Sequence, residues 1–193
     1  MGVLQNAADA WQILCKTQYI LVLGRKGRLQ TITISFSPEE FPHIMGIKYA
    51  SDIDFGVRFH ECFGGKLLTF INNGKVKESA LLKSQNWIRI EGRLKAIMAI
   101  QRILEGDFTI AEFHPERLRG RSSIDAKYVI KNNVGTDIFF VFLDESSGEY
   151  FCRSAFQFEE IDYTMNQPTL KLLELRKIVD GQTITIFKSA SYK

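Results

Sequence analysis

The chain has 193 residues, 45% of them hydrophobic, and a formal net charge of +3. That is enough apolar material to bury a core without cross-links or metals, and the expectation is one domain over residues 1–193. No apolar run reaches membrane-spanning length, and Met1–Lys16 carries Asp9 and polar residues where a secretory leader would be basic and then greasy. Cys15, Cys62 and Cys152 are odd in number and far apart, so the expected setting is a reducing cytoplasm without a disulfide framework or a membrane partner.

In chain order, Val3–Cys15 places Val3, Leu4, Ala7, Trp11 and Leu14 at helical spacing and predicts an amphipathic helix packed through Trp11. Tyr19–Leu23 and Leu29–Phe36 are β-rich runs joined by Gly24-Arg25-Lys26-Gly27-Arg28, which predicts a β-hairpin with a basic tip. Ser37-Pro38-Glu39-Glu40 is a capping-box sequence, with Pro38 where a missing N–H costs nothing. Pro42 follows beyond the first turn, so the helix should kink or restart just before His43, and Gly46 can end it. That irregularity makes His43 the first candidate for chemistry.

From about Phe55 to Gly106 the pattern is mostly helical, broken near Gly64-Gly65, Asn72-Asn73-Gly74 and Gln85-Asn86. After Asp107 it changes to short β-rich runs at Phe108–Phe113, Lys127–Ile130, Ile138–Leu143, Tyr150–Phe158, Leu170–Val179 and Thr183–Phe187. The expected class is α+β, with helices packed on an antiparallel β-sheet. Glu116–Ser123, rich in arginine and serine, is the candidate mobile loop. Lys75–Arg102 holds seven basic residues against Glu78 and Glu91, whereas Asp144–Asp162 holds six acidic residues against Arg153 alone. A polyanion would prefer the former.

Arg89 and Arg93 lie one turn apart on the helix from about Trp87 to Leu104, and Arg93 falls beside its apolar stripe. A charge there needs a partner, either a carboxylate from the sheet or a bound phosphate. The tip residues Arg25, Lys26 and Arg28 are either a solvated loop or a grip on a nucleic-acid backbone. His60 and Cys62 have no second pair at metal-ligand spacing, so no metal site is expected. Strict alternation in Tyr150–Phe156 puts Tyr150, Cys152, Ser154 and Phe156 on one face and Phe151, Arg153 and Ala155 on the other. Arg153 then points outward or towards a cleft, according to which face is core. Asp162-Tyr163-Thr164 and Gln167 suit a turn, and equally suit hydrogen bonds to a substrate.

Gly24-Arg25-Lys26-Gly27, Phe41 with His43 and Gly46, Asn73-Gly74-Lys75, Arg93, Tyr128, Tyr150-Phe151-Cys152, Ser154, Phe156 and Asp162-Tyr163-Thr164 with Gln167 occur in an order that resembles the fourth phage-type family of Barnase, EndoU, colicin and RelE-like nuclease domains. The resemblance implies a Barnase-EndoU-colicin-RelE-like core carrying the N-terminal helix and hairpin, and metal-independent RNA cleavage by a toxin-like effector of a phage or mobile element. It implies no cofactor, RNA as substrate, and an antitoxin or immunity protein as partner. On that pattern His43 is the acid or base, Arg93 holds the phosphate, and Ser154 and Thr164 donate hydrogen bonds. Arg25, Lys26, Arg89, Arg153 and Gln167 bind substrate, while Tyr128 and Tyr163 stack on bases or orient donors. The rival readings are a noncatalytic RNA- or protein-binding domain and a nucleotide-cofactor enzyme such as an ADP-ribosyltransferase.

Overall fold

A computed structural model of the chain describes residues 2–54, 56–118 and 122–192. Helix α1 (Val3–Leu14) buries Leu4, Ala7, Ala8, Trp11 and Leu14, the stripe its spacing dictates. Its first turn is capped from a distance, since the Leu4 N–H donates to Glu78 Oε2 at 2.8 Å. Strands β1 (Thr17–Arg25) and β2 (Arg28–Ser35) are antiparallel, with Arg25 opposite Arg28. Lys26 and Gly27 between them both take positive φ, 48° and 77°, as a two-residue connection between right-twisted strands requires.

The chain then turns through the capping-box sequence. Glu40 Oε2 accepts from the Ser37 N–H at 3.1 Å, but Ser37 Oγ accepts from the N–H of Glu39, not that of Glu40. The helix proper therefore begins later, as α2 (Phe41–Ile44), with Pro42 inside its first turn where the ring is tolerated. Gly46 ends it in the left-handed region at φ 75°. Short 3-10 turns at Ile47–Ala50 and Phe59–Cys62 lead to α3 (Lys66–Asn72), α4 (Glu78–Leu81) and α5 (Trp87–Glu105). Phe55, where the helical stretch was expected to open, and residues 119–121 of the expected mobile loop lie outside the described residues; Pro115–Arg117 within or beside that loop is a 3-10 turn.

The remaining strands are β3 (Thr109–Glu112), β4 (Tyr128–Val134), β5 (Asp137–Ser146), β6 (Glu149–Gln157), β7 (Thr169–Val179) and β8 (Gln182–Lys188). They correct the expectation of an antiparallel sheet. The order β1-β2-β6-β5-β4-β3-β7 returns to β1, closing a mixed seven-strand barrel with β8 outside it on β7. Among the described strands, β2 and β6 are the parallel neighbours, meeting only through Ile34 with Tyr150 and Ser35 with Phe151. The long β1–β7 ladder, from Thr17 opposite Val179 to Gly24 opposite Lys171, closes the ring and removes edges that would otherwise stay open. The class is nonetheless α+β.

Two apolar clusters lie on opposite faces of the curved sheet. One joins Leu4 and Trp11 of α1 and Ile97 and Ile100 of α5 to Ile130, Val141 and Ala155 of the strands. The other joins Phe113, Val129, Phe140 and Phe142, with Phe156 and Tyr163 packed against it. The C-terminal end of α5 is fixed by polar contacts: Glu105 Oε1 accepts from Tyr19 Oη at 2.8 Å and Lys177 Nζ at 2.7 Å, and Asn132 Nδ2 donates to the Ile103 carbonyl at 2.9 Å. No helix among the described residues is long and apolar enough to cross a membrane.

One irregularity bears directly on the site. In the β5–β6 ladder Phe142 opposes Ser154 and Leu143 opposes Cys152, so Arg153 is an inserted bulge residue. Strict alternation therefore fails. Tyr150, Cys152 and Ala155 pack with the α5 cluster, while Ser154 and Phe156 turn to the face of Phe142 and Phe140.

Candidate functional site

Beyond Phe151, β6 has lost β2 as its partner, and its edge is open to helix α5. Arg93 reaches across this edge from α5. Its Nη1 donates to the Ile44 carbonyl at 3.3 Å and to Ser154 Oγ at 3.2 Å, which the Arg153 bulge has turned to meet it. The guanidinium lies between two rings, with its central carbon 5.3 Å from the Tyr49 centroid and 5.5 Å from that of Phe156. Gly46 makes the crossing feasible: a Cβ there would sit 2.7 Å from Arg93 Cδ and 2.8 Å from Tyr49 Cδ2.

The sequence leaves a carboxylate and a phosphate as alternative partners for Arg93. Among the described residues no carboxylate lies within 4.0 Å of Arg93, Arg89, Arg153 or Lys48. The contacts of Arg93 are neutral oxygens and ring faces, so its charge is positioned without being neutralised. Arg89 and Lys48 add to it, at 5.9 and 5.3 Å from the same Tyr49 ring. Arg89 and Arg93, but not Lys48, line a cleft of about 470 Å³ together with Tyr49, Phe156, Glu159 and Tyr163. Tyr163 is wedged against Phe113, Phe142 and Phe156. Desolvation raises its pKa, Glu159 adds to the rise and Arg93 opposes it, so it remains a phenol that can donate.

His43 is not among the lining residues; it lies one residue before the carbonyl that holds Arg93. The residue is exposed. Partial desolvation lowers its pKa, and Arg153, Lys48 and Arg93 act in the same direction, while the Arg153 backbone opposes them. The imidazole is therefore neutral at neutral pH, the state in which it accepts a proton. Glu40, three residues earlier, is half-buried; desolvation pushes its pKa up to about 7, with Glu39 adding to the rise and the Ser37 N–H opposing it. Cys152 is buried on the other face, where desolvation strongly raises its pKa, Glu40 adding and Arg93 opposing. Its thiol stays protonated and takes no part as a nucleophile.

The other singled-out residues are dispersed. Arg25 is ion-paired with Glu112 and, with Lys26, borders a separate hollow at the hairpin tip. Tyr128 is buried, donates to Gln30 Oε1 at 3.1 Å and packs on Tyr150. Thr164 Oγ1 donates to Asp162 at 2.6 Å, and Asp162 in turn is paired with Lys131. Gln167 is buried and bonds both the N–H and the carbonyl of His114, each at 3.0 Å. The structure thus places Arg93, Arg89 and Tyr163 on the cleft, with Ser154 bonded to Arg93 and with His43 and Arg153 outside the lining, and leaves Arg25, Lys26, Tyr128, Thr164 and Gln167 elsewhere. Sequence reasoning passes over Tyr49 and Lys48, although their position just after Gly46 is a signal, and treats Glu40 only as a cap.

The α+β scaffold thus carries arginine charge without a carboxylate partner on the lining of a cleft. The chain belongs to the phage-Barnase-EndoU-ColicinE5/D-RelE like nuclease 4 family, whose model matches residues 3–189. It is accordingly a nuclease-family domain with nucleic acid as its substrate. No curated protein and no solved structure matches the chain significantly.

Proposed function

We propose that this domain cleaves RNA by attack of the ribose 2′-hydroxyl on the adjacent phosphate, with the phosphate held by Arg93 and the proton taken by His43. What supports the reading is the unneutralised Arg93 guanidinium, fixed by Ile44 and Ser154, whose charge acts with those of Arg153 and Lys48 on the His43 imidazole one residue before Ile44. The neutral ring removes the 2′ proton, O2′ bonds to phosphorus, and the negative charge that builds on the phosphorane oxygens falls on Arg93, with Arg89 adding field strength. The bond to the 5′ oxygen then breaks. That oxygen takes a proton from the imidazolium formed in the first step, which leaves a cyclic phosphate on one product and a hydroxyl on the other. Ser154 acts through Arg93 by fixing its orientation, and Arg153 and Lys48 guide the strand past His43. Thr164, Gln167 and Tyr128 have no chemical part in this scheme because their polar groups are engaged elsewhere.

The test is cleavage of a mixed pool of RNAs in the presence of a chelator. The parent should yield cyclic phosphate ends and leave 2′-deoxy analogues intact. His43→Ala should lose turnover by roughly a hundredfold or more, the scale of general acid–base catalysis, while remaining folded. Undiminished cleavage by that variant removes His43 from the reaction; a parent that binds but never cuts RNA supports the noncatalytic reading instead.

A further inference from the structure

The cleft beside Arg93 has more apolar wall than a phosphate needs. Ile88, in the first turn of α5, is 80% exposed, and Phe158, just past β6, is 37% exposed; both line the same hollow. Leaving these side chains in water forgoes burial that neighbouring core positions obtain. Neither is on a loose loop. The Phe158 N–H donates to the Ile138 carbonyl at 2.7 Å, which continues the β5–β6 ladder by one residue. Its ring rests on Phe140 with centroids 6.2 Å apart. Phe158 also stands two residues after Phe156, the ring that backs Arg93, so it presents to the same face roughly 7 Å further along the edge.

We propose that Ile88 and Phe158 form a slot for one unpaired nucleobase, seated next to the phosphate that Arg93 holds, so that the domain selects single-stranded over duplex nucleic acid. The proposal rests on reading the cleft as a phosphate site and adds the substrate class. A flat aromatic base has two apolar faces and a polar rim. An isoleucine from α5 and a phenylalanine from the end of β6 offer apolar surface to those faces, while Gln157 and Glu159 border the same cleft and offer polar groups to the rim. The volume of about 470 Å³ falls in the range of small-ligand clefts, roughly 300–1,000 Å³, and leaves space for a phosphate and a base. Stacking of this kind tolerates any base, since every base has a π face.

The experiment is a binding titration with non-cleavable 2′-O-methyl trinucleotides, one complete and one lacking its central base, alongside a longer 2′-O-methyl oligomer containing the same triplet and annealed to its complement. The complete single strand should bind about tenfold tighter than the abasic one, the scale set by stacking of one base, and the annealed form should lose that advantage. Phe158→Ala should erase the contrast without changing affinity for the abasic oligomer. Ile88→Ser should do the same, and its high exposure keeps it from disturbing the fold. Equal binding of complete and abasic strands by the parent overturns the slot. Arg93→Ala reads the phosphate contact separately by weakening both strands alike, so a missing base contrast with an intact Arg93 effect removes the slot and leaves the phosphate site standing. If Arg93→Ala weakens neither strand, the phosphate site itself is refuted, and the slot proposed next to it falls with it.

Discussion

Gly46→Ala isolates the close approach on which the Arg93 geometry depends. Two penalties are built in. Gly46 has φ 75°, and an L side chain in the left-handed region costs about 1–2 kcal/mol. The added Cβ would also lie 2.7 Å from Arg93 Cδ and 2.8 Å from Tyr49 Cδ2, overlaps relieved only when the arginine swings away and the ring shifts. The swing gives up the bonds to Ile44 and Ser154, worth together about 1–3 kcal/mol in stability. Unfolding by urea should therefore show a loss of about 2–5 kcal/mol. Cleavage should suffer more, because removal of one preorganised charge-stabilising donor typically costs roughly 10²–10³ in rate. Gly27→Ala is the matched control: its φ is 77°, and a Cβ there meets nothing within 4 Å. It should show the backbone penalty alone and keep its activity. If the two variants lose equal stability and both cleave like the parent, the packing of Arg93 against Gly46 has no bearing on function.

The remaining predictions concern charge and anchoring. Arg153 lowers the His43 pKa, so Arg153→Gln raises it, and because the base must be neutral the acid limb of the pH–rate profile should move to higher pH; a limb that stays put or moves down contradicts the assignment. Glu105→Ala orphans the hydroxyl of Tyr19, a fully buried residue, and should cost about 1–3 kcal/mol in urea unfolding with cleavage by the folded protein unchanged.

Much of this architecture is legible because it is local. The stripe of α1, the breaks before α3 and α5, and the strand runs after Asp107 each depend on neighbours a few residues away, and the elements fall close to the ranges that periodicity assigns. What is not legible is set by distant partners. Nothing near Ile34 announces that it will lie parallel to Tyr150, and nothing near Thr17 announces Val179. The bulge at Arg153 is equally silent: a period of two assigns Ser154 to the face of Cys152, and one inserted residue sends it to the other. Arg93 could be recognised as a charge in need of a partner, but its answer, two rings and two neutral oxygens, draws on α2, the turn after it and β6. Conversely, Gln167 and Thr164 look available as bare sequence because their partners His114 and Asp162 become visible only once the chain is folded.

The barrel is fastened by ladders of very unequal length. Long runs join β7 to β1 and β5 to β6, whereas β2 grips β6, and β3 grips β7, through only two residue pairs each. The ring is in effect two stiff arcs held by two small clasps. One clasp ends at Phe151, where the open margin of β6 begins. Local opening of the girdle should therefore start at these clasps, and unfastening one leaves both arcs whole.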